Sequence, residues 1–444
     1  MKVLLLNQCF YPDVMATAQY LTDLAVGLAG EGHEVTVVAS DRGYDNPSQR
    51  SPRLETWNGI RIIRISSLAL GKKTRWRRAL HFASFLVNCG LRLVLLPRFD
   101  AVVALTSPPL ISFLGALFVR LKGGRFFFWV MDLNPDEAIA AGWLKENSQT
   151  AKVLKRLLRY SLLHSEKTIA LDQFMKQRIV AKGVPENRVI VLPPWGHDNT
   201  VRFDREGREA FRRQHNLEES FVVMYAGNHS PCHPLDTLLG AAHRLSNNKE
   251  IVFCFIGGGS EQKKVRDFAT RHGLGNIVCL PYQPFVMLAA TLSAADLQAV
   301  VMGDEFVGIV HPCKIYNILT IGTPFLYIGP TPSHVTDIAA AIASGQNHLR
   351  ERVASGTAFI DALSHPLPQV VLTTGGGVDT VVNIILDQAK RRFDGEQHSL
   401  PEIAKMFSRQ ILMPRMIEVL ESGSMMEGQP FTPLETPSYM SARR

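Results

Sequence analysis

The sequence predicts an α/β protein made of two tandem doubly wound domains, and three observations carry that expectation. At 444 residues the chain exceeds what one ordinary core holds. Strand-like apolar runs alternate with helical periodicity, the rhythm of parallel sheets covered by helices. The rhythm breaks in the polar, charged stretch 196–220 and then starts again. Domains of 1–195 and 196–400 are expected, with 196–220 as the linker and 423–444, rich in Pro, Ser and Met, as a disordered tail.

The first domain opens with strand KVLLLN, helix AQYLTDLAVGLAGEG and strand HEVTVVAS. Leu21, Leu24, Ala25 and Leu28 recur at helical spacing, and Gly30 and Gly32 stop the helix. No GxGxxG follows the first strand, so a dinucleotide site of the dehydrogenase type is not supported. MKVLLLNQCFYPD is too short in its apolar part for a signal peptide. GIRIIRI is a further short strand. Ala101–Val119 is uncharged and long enough to span a membrane, but Ser107-Pro108-Pro109 interrupts it, so strand plus buried helix is preferred.

Between them lies a basic, aromatic segment in which Lys72, Lys73, Arg75, Arg77 and Arg78 flank Trp76, followed by an apolar helix. It suits an anionic membrane surface, and a solvated basic loop or a nucleic-acid patch are the alternatives. Strand FFFWV then runs into Met131-Asp132-Leu133-Asn134-Pro135-Asp136-Glu137. Ligand sites of open α/β sheets lie at the carboxyl ends of strands, which makes three carboxylates there informative. Asp136 reads as the cap of a helix starting near Glu137, and Asp132 as the better candidate for chemistry. Strands TIALD and VIVLPPW, with helix QFMKQRIVAKG between them, close the domain.

The second domain repeats the pattern with strands FVVMYAGN, IVFCFIGGG and IVCL. Its most informative stretch is VGIVHPCKIYNILTIGTPFLYIG, Val307–Gly329: a loop, a helix with Lys314 on its first turn, a stop at Gly322 and strand FLYI. A helix N-terminus carrying a lysine can hold a diphosphate; an ordinary βα connection with an incidental lysine is the alternative. Residues 330–370 read as helical, and two further helices follow, VDTVVNIILDQAKRRF and 401–422. Hydrophobic content of 46% and charged content of 20% are globular, and six cysteines scattered without CxxC spacing imply no zinc site or disulfide frame and fit a reducing cytoplasm.

FYPDVMATAQYLTDLAVGLAGEGHEVTVV, WVMDLNPDEAIAAGWL, VMYAGNHSPCHPLDTLLGAAHRL and HPCKIYNILTIGTP resemble, in order and spacing, the family-four retaining glycosyltransferases. The branch it resembles builds bacterial exopolysaccharide, colanic-acid-like or O-antigen chains. The resemblance implies the GT-B fold, two facing Rossmann-like domains with a cleft between them. It implies a nucleotide-diphosphate sugar donor (UDP favoured), transfer of a hexosyl or N-acetylhexosaminyl group with retention, and no cofactor or metal. The implied acceptor is a polyprenyl-linked glycan, met on the inner face of the plasma membrane through Lys72–Arg78; nucleic acid is not an expected partner. The helix 401–422 is expected to cross back onto the first domain.

Residue by residue, the family's phosphate-site arginine and lysine fall on Asn228 and His233, and its two glutamates on Ile309 and Asn317. Pro312-Cys313-Lys314 matches a P-S-K-like element of the branch. Lys314 is then the diphosphate cation, assisted by the N–H groups of Gly308, Ile309 and Val310, with His233 a second cation if protonated. Tyr282-Gln283-Pro284 falls where the family reads the base. Asp132 lies beside the place where relatives put a histidine near the sugar, and Thr17, Asp136 and Glu137 line the acceptor side. Two alternatives stay open: a UDP-sugar 2-epimerase, which shares the GT-B architecture, and a non-catalytic partner of the same fold, suggested by the departures at Asn228, His233 and Asn317.

Overall fold

The computed structural model describes residues 1–43, 50–68, 75–198, 200–342, 371–373, 377–391 and 402–423. The chain divides into two compact units. One holds Met1–Pro194, Gly308–His311 and the described residues from Leu412 on; the other holds Trp195–Val307 and the described residues from Pro312 to Ile411.

The first unit is an eight-stranded sheet of β1 (Lys2–Leu6), β2 (Glu34–Ser40), β3 (Leu54–Trp57), β4 (Ile60–Ile65), β5 (Ala101–Ala104), β6 (Arg125–Trp129), β7 (Lys167–Ala170) and β8 (Val189–Val191), ordered 3-4-2-1-5-6-7-8. Apart from β3, every strand is parallel to its neighbours. Continuous apolar runs such as Val3–Leu6 and Ala101–Ala104 are wholly buried, as strands covered on both faces must be. The order reverses between β1 and β5, the switch point of this sheet.

Two elements depart from the sequence expectation. β3 pairs antiparallel with β4 through Asn58 and Gly59, both at positive φ (49° and 75°), a two-residue turn whose twist fits a hairpin. The C-terminal stretch expected as one helix forms two, Glu402–Met406 and Arg409–Ser422. From Leu412 the second belongs to the first unit: Met413 lies over Gly27, where a Cβ would come within 3.0 Å of its sulfur. Arg125 donates to the carbonyls of Leu420 (2.7 Å) and Glu421 (3.0 Å), which satisfies the free C-terminal carbonyls of that helix.

The second unit is a six-stranded parallel sheet of β9 (Phe221–Asn228), β10 (Ile251–Gly258), β11 (Ile277–Leu280), β12 (Leu297–Val301), β13 (Phe325–Ile328) and β14 (Val371–Thr373), ordered 11-10-9-12-13-14. Val223, Phe253, Phe255 and Leu326 pack on one face with Leu238, Val381 and Ile385 of the flanking helices. Here the order reverses between β9 and β12.

The expected linker 196–220 is a correction. It contains the helix Arg205–Gln214, capped by Asp204, whose carboxylate accepts the Gly207 N–H. Arg208 and Arg212 are buried against Asp296, which also accepts the N–H of Val222 at 2.7 Å. Two of its charges serve an internal ion pair, while Arg205, Glu206, Glu209 and Arg213 are exposed. The tail 424–444 and the whole of 343–370 lie outside the described residues.

Candidate functional site

The carboxyl end of the second sheet collects the chemistry-bearing groups of that unit. At the β9–β12 switch point the two loops are tied together: Gly303 N–H donates to Cys232 O (2.9 Å) and His233 Nδ1–H to Val301 O (2.7 Å). The ends of β9 and β10 also approach closely. A Cβ on Gly257 (φ +132°) would sit 2.0 Å from the Gly227 carbonyl, so glycine is required there.

The helix Lys314–Ile321 begins at this crevice and stops at Gly322, which adopts φ +79° as a left-handed cap. The Lys314 Nζ lies 3.5 Å from the centre of the Tyr225 ring and would be 3.0 Å from a Cβ on Gly227. Although the residue as a whole is half-buried, Nζ is covered and makes no hydrogen bond. Burial lowers its pKa from 10.5 to about 7. A desolvated ammonium held only by an aromatic face is poised for an anion.

Two histidines adjoin it, and both are neutral. Burial, then the Lys314 charge, takes His233 down to about 3. The second cation proposed for His233 is therefore absent from the empty protein; with Nδ1–H given to Val301, the ring joins the two loops instead. His229, which sequence reasoning missed, is fully buried, with pKa lowered to about 4 by burial and by Lys314. Its only signal in the sequence was its place directly after Asn228. Asn228 is exposed at the end of β9, and its carbonyl accepts the Tyr225 hydroxyl at 2.7 Å.

The other expected donor-site residues fall in different places. Tyr282, 42% exposed, lies over Gly258, with its hydroxyl 3.4 Å from that carbonyl. Gln283 turns back to Pro281 O at 3.0 Å, and Pro284 precedes a short helical turn. Asn317 accepts from the His197 N–H at 3.0 Å and so braces its own unit. Gly308, Ile309 and Val310 group with the first unit rather than with Lys314. Leu133 N–H donates to Ile309 O at 2.8 Å, and a Cβ on Gly308 would strike the Phe174 main chain. His311 anchors the same segment through Asp172 at 2.7 Å.

In the first unit, Asp132 follows β6 directly. Burial, then the charge of Glu137, raises its pKa to about 8, so at neutral pH it mostly keeps its proton. Glu137 accepts from Asn134 Nδ2 at 2.8 Å. Asp136 does not cap the helix Asp136–Ala140; it pairs with Lys182 at 2.6 Å. Thr17 is buried on the first turn of its helix, its hydroxyl without a partner.

Of the basic segment, Lys72 and Lys73 lie outside the described residues. The helix Arg75–Val94 runs through Arg75, Trp76, Arg77 and Arg78, and Arg77 is half-buried. Further along, Leu80, Val87, Leu91 and Val94 are exposed at helical spacing, followed by Leu95 at 74%. Among the described residues no helix is long and apolar enough to cross a membrane.

The profile of the glycosyl transferase 4-like domain matches residues 16–195, and that of the group 1 glycosyl transferases matches residues 207–327. The chain is 25% identical over 336 residues to WcaI of Escherichia coli K12, named a glycosyl transferase of colanic acid biosynthesis; the match covers 72% of this chain and 82% of WcaI. It is 21% identical over 250 residues to the glycosyltransferase WbjE of Pseudomonas aeruginosa, 56% of this chain and 62% of that one. Among solved structures, Anabaena HepE with UDP-glucose is similar at a TM-score of 0.65 and 16% identity, over 95% of this chain and 100% of HepE.

Proposed function

The chain belongs to the family-four, group 1 glycosyltransferases and has their GT-B fold, and on that premise we propose how it works. It takes a sugar from a nucleotide-diphosphate donor, a UDP-sugar, and passes it with retention to a lipid-linked or growing surface-polysaccharide acceptor. The observation that carries this reading is Lys314: a buried ammonium with no hydrogen-bond partner, beside Gly227 at a sheet switch point. A departing nucleoside diphosphate gains negative charge as the glycosidic bond breaks, and a desolvated cation stabilises that charge far more than a solvated one. The ring of Tyr282 beside Gly258 offers a face on which uracil stacks.

Asp132 serves the acceptor side. Protonated at neutral pH, it donates a hydrogen bond to a sugar oxygen; to take a proton from the acceptor hydroxyl it must first ionise, which it does near pH 8. The exposed row Leu80, Val87, Leu91 and Val94 on a helix with a basic start supports a seat on an anionic membrane, where a polyprenyl-linked acceptor resides.

A second reading, a non-catalytic partner of the same fold, draws on the neutral state of His233 and the uncharged Asn228. A thermal-shift panel of UDP, GDP, ADP and dTDP on wild type and Lys314→Ala separates the two. A ligand at 100 times its dissociation constant adds about 2.7 kcal/mol to the folded state. Stabilisation by UDP alone, lost in the variant, is the expected result; no response to any nucleotide makes the non-catalytic reading the correct one.

A further inference from the structure

The donor site as described is short of positive charge. A nucleotide-sugar brings two phosphates, each with a negative charge, while the cluster at the β9–β12 crevice holds Lys314 and two neutral histidines. The histidines differ in what they have left to offer. His229 gives Nδ1–H to Gly227 O at 3.1 Å, and its buried Nε2 has no partner. A buried polar atom without a partner is rare in native proteins and asks for an explanation. Here the rest of the residue is firmly held. Its N–H donates to Gly258 O at 2.8 Å, its carbonyl accepts from Glu261 N–H at 3.0 Å, and a Cβ on Gly259 would sit 2.2 Å from that carbonyl.

The surroundings of the ring are equally defined. It stands edge-on to Tyr225 at 5.1 Å, the same ring that carries the Lys314 ammonium, with Phe255 at 6.4 Å. The charge of Lys314 acts on His229, and that of His229 acts on His233. Tyr225 adjoins the His229 ring, with Tyr282 and Cys232 acting on that phenol, and Glu261 reaches His229 through the main chain. Lys314 disfavours the imidazolium as long as no anion is present. An arriving diphosphate reverses that balance, because it neutralises Lys314 and supplies an acceptor for a second N–H.

We propose that His229 is the second cation of the donor site, acquired on binding: neutral in the empty protein, it takes one proton from solvent as the diphosphate arrives and donates Nε2–H to a phosphate oxygen. This rests on the donor reading above and replaces His233 as the partner of Lys314. His233 has its Nδ1–H committed to Val301. Donor affinity then falls as pH rises, since the bound state holds a proton that the empty state lacks.

The test is calorimetric titration with UDP-glucose at about pH 6 in two buffers of different ionisation enthalpy, which counts protons taken up. The phosphates of UDP-glucose do not titrate there, and Lys314 is already largely charged, so uptake at that pH isolates histidine. Wild type is expected to take up about one proton per UDP-glucose, His229→Gln close to none, and His233→Gln as many as wild type. Near-zero uptake by wild type, or undiminished uptake by His229→Gln, overturns the proposal while leaving the donor site intact. If wild type binds no UDP-glucose at any pH, the donor reading itself falls and this inference with it. Should His229→Gln fail to fold, His233→Gln decides: uptake kept there supports His229, and uptake lost there assigns the proton to His233 and overturns the proposal.

Discussion

The two ends of the second sheet treat buried charge in opposite ways. At the amino end, Asp296 precedes β12 and is surrounded by donors: Arg208, Arg212 and the Val222 N–H. At the carboxyl end, Lys314 has an aromatic face and no acceptor. Both charges are costly to desolvate. The first is compensated inside the unit and holds the helix Arg205–Gln214 to the sheet; the second is left uncompensated, and that marks where a ligand enters. Burial of a charge does not identify a site, but burial without a partner does.

The contrast breaks most visibly at Asp296. Removing it by Asp296→Ala leaves two buried guanidinium groups unpaired and is expected to cost about 3–5 kcal/mol of stability, read from urea unfolding. A smaller effect, of opposite sign, is expected at Lys314. Its folded-state pKa, about 7, lies below the ordinary 10.5, so the unfolded chain binds more protons between those values. Wild-type stability therefore gains as pH rises from about 7 toward 10.5, and below about 7 the full desolvation cost of the charged lysine remains. Lys314→Met should remove that slope and be more stable than wild type at pH 6 in the absence of nucleotide; a variant less stable than wild type there would show that Lys314 is a structural cation. The smallest effect is expected at the exposed pair Lys264–Asp236, 2.8 Å apart on the surface of the same unit. Asp236→Asn should change stability by less than about 1 kcal/mol, and 0.5 M salt should erase the difference.

What could be read from the sequence was local. The helix Lys314–Ile321, its glycine stop and strand β13 follow from periodicity and punctuation within a single stretch. The β3–β4 hairpin was equally local, and Asn58-Gly59 was its signal, but a four-residue strand with two exposed positions gives almost no periodicity to catch. Other features were out of reach because their cause lies elsewhere in the chain. Arg208 and Arg212 look like the charges of a linker until Asp296, 88 and 84 residues away, is brought against them. Gly308–Val310 adjoin Lys314 in sequence, but the bond from Leu133 N–H to Ile309 O and the packing of Gly308 on the Phe174 main chain are encoded far from that stretch. The neutrality of His229 and His233 comes from desolvation and from Lys314, which no spacing encodes.

The first unit is not a continuous length of chain. It is completed by residues from Leu412 on, which lay Met413 against Gly27 and place Glu421 3.0 Å from His33. A protein emerging from the ribosome presents its amino-terminal half first. That half therefore cannot reach its finished form while the second sheet is being synthesised. The place of Met413 and Ile417 over Gly27 stays unfilled until the helix Arg409–Ser422 emerges, so translation stalled or cut before Leu412 leaves that apolar contact unmade. For this chain the helix Arg409–Ser422 is what seals the first domain begun, and the time needed to synthesise the second unit is time the first must wait.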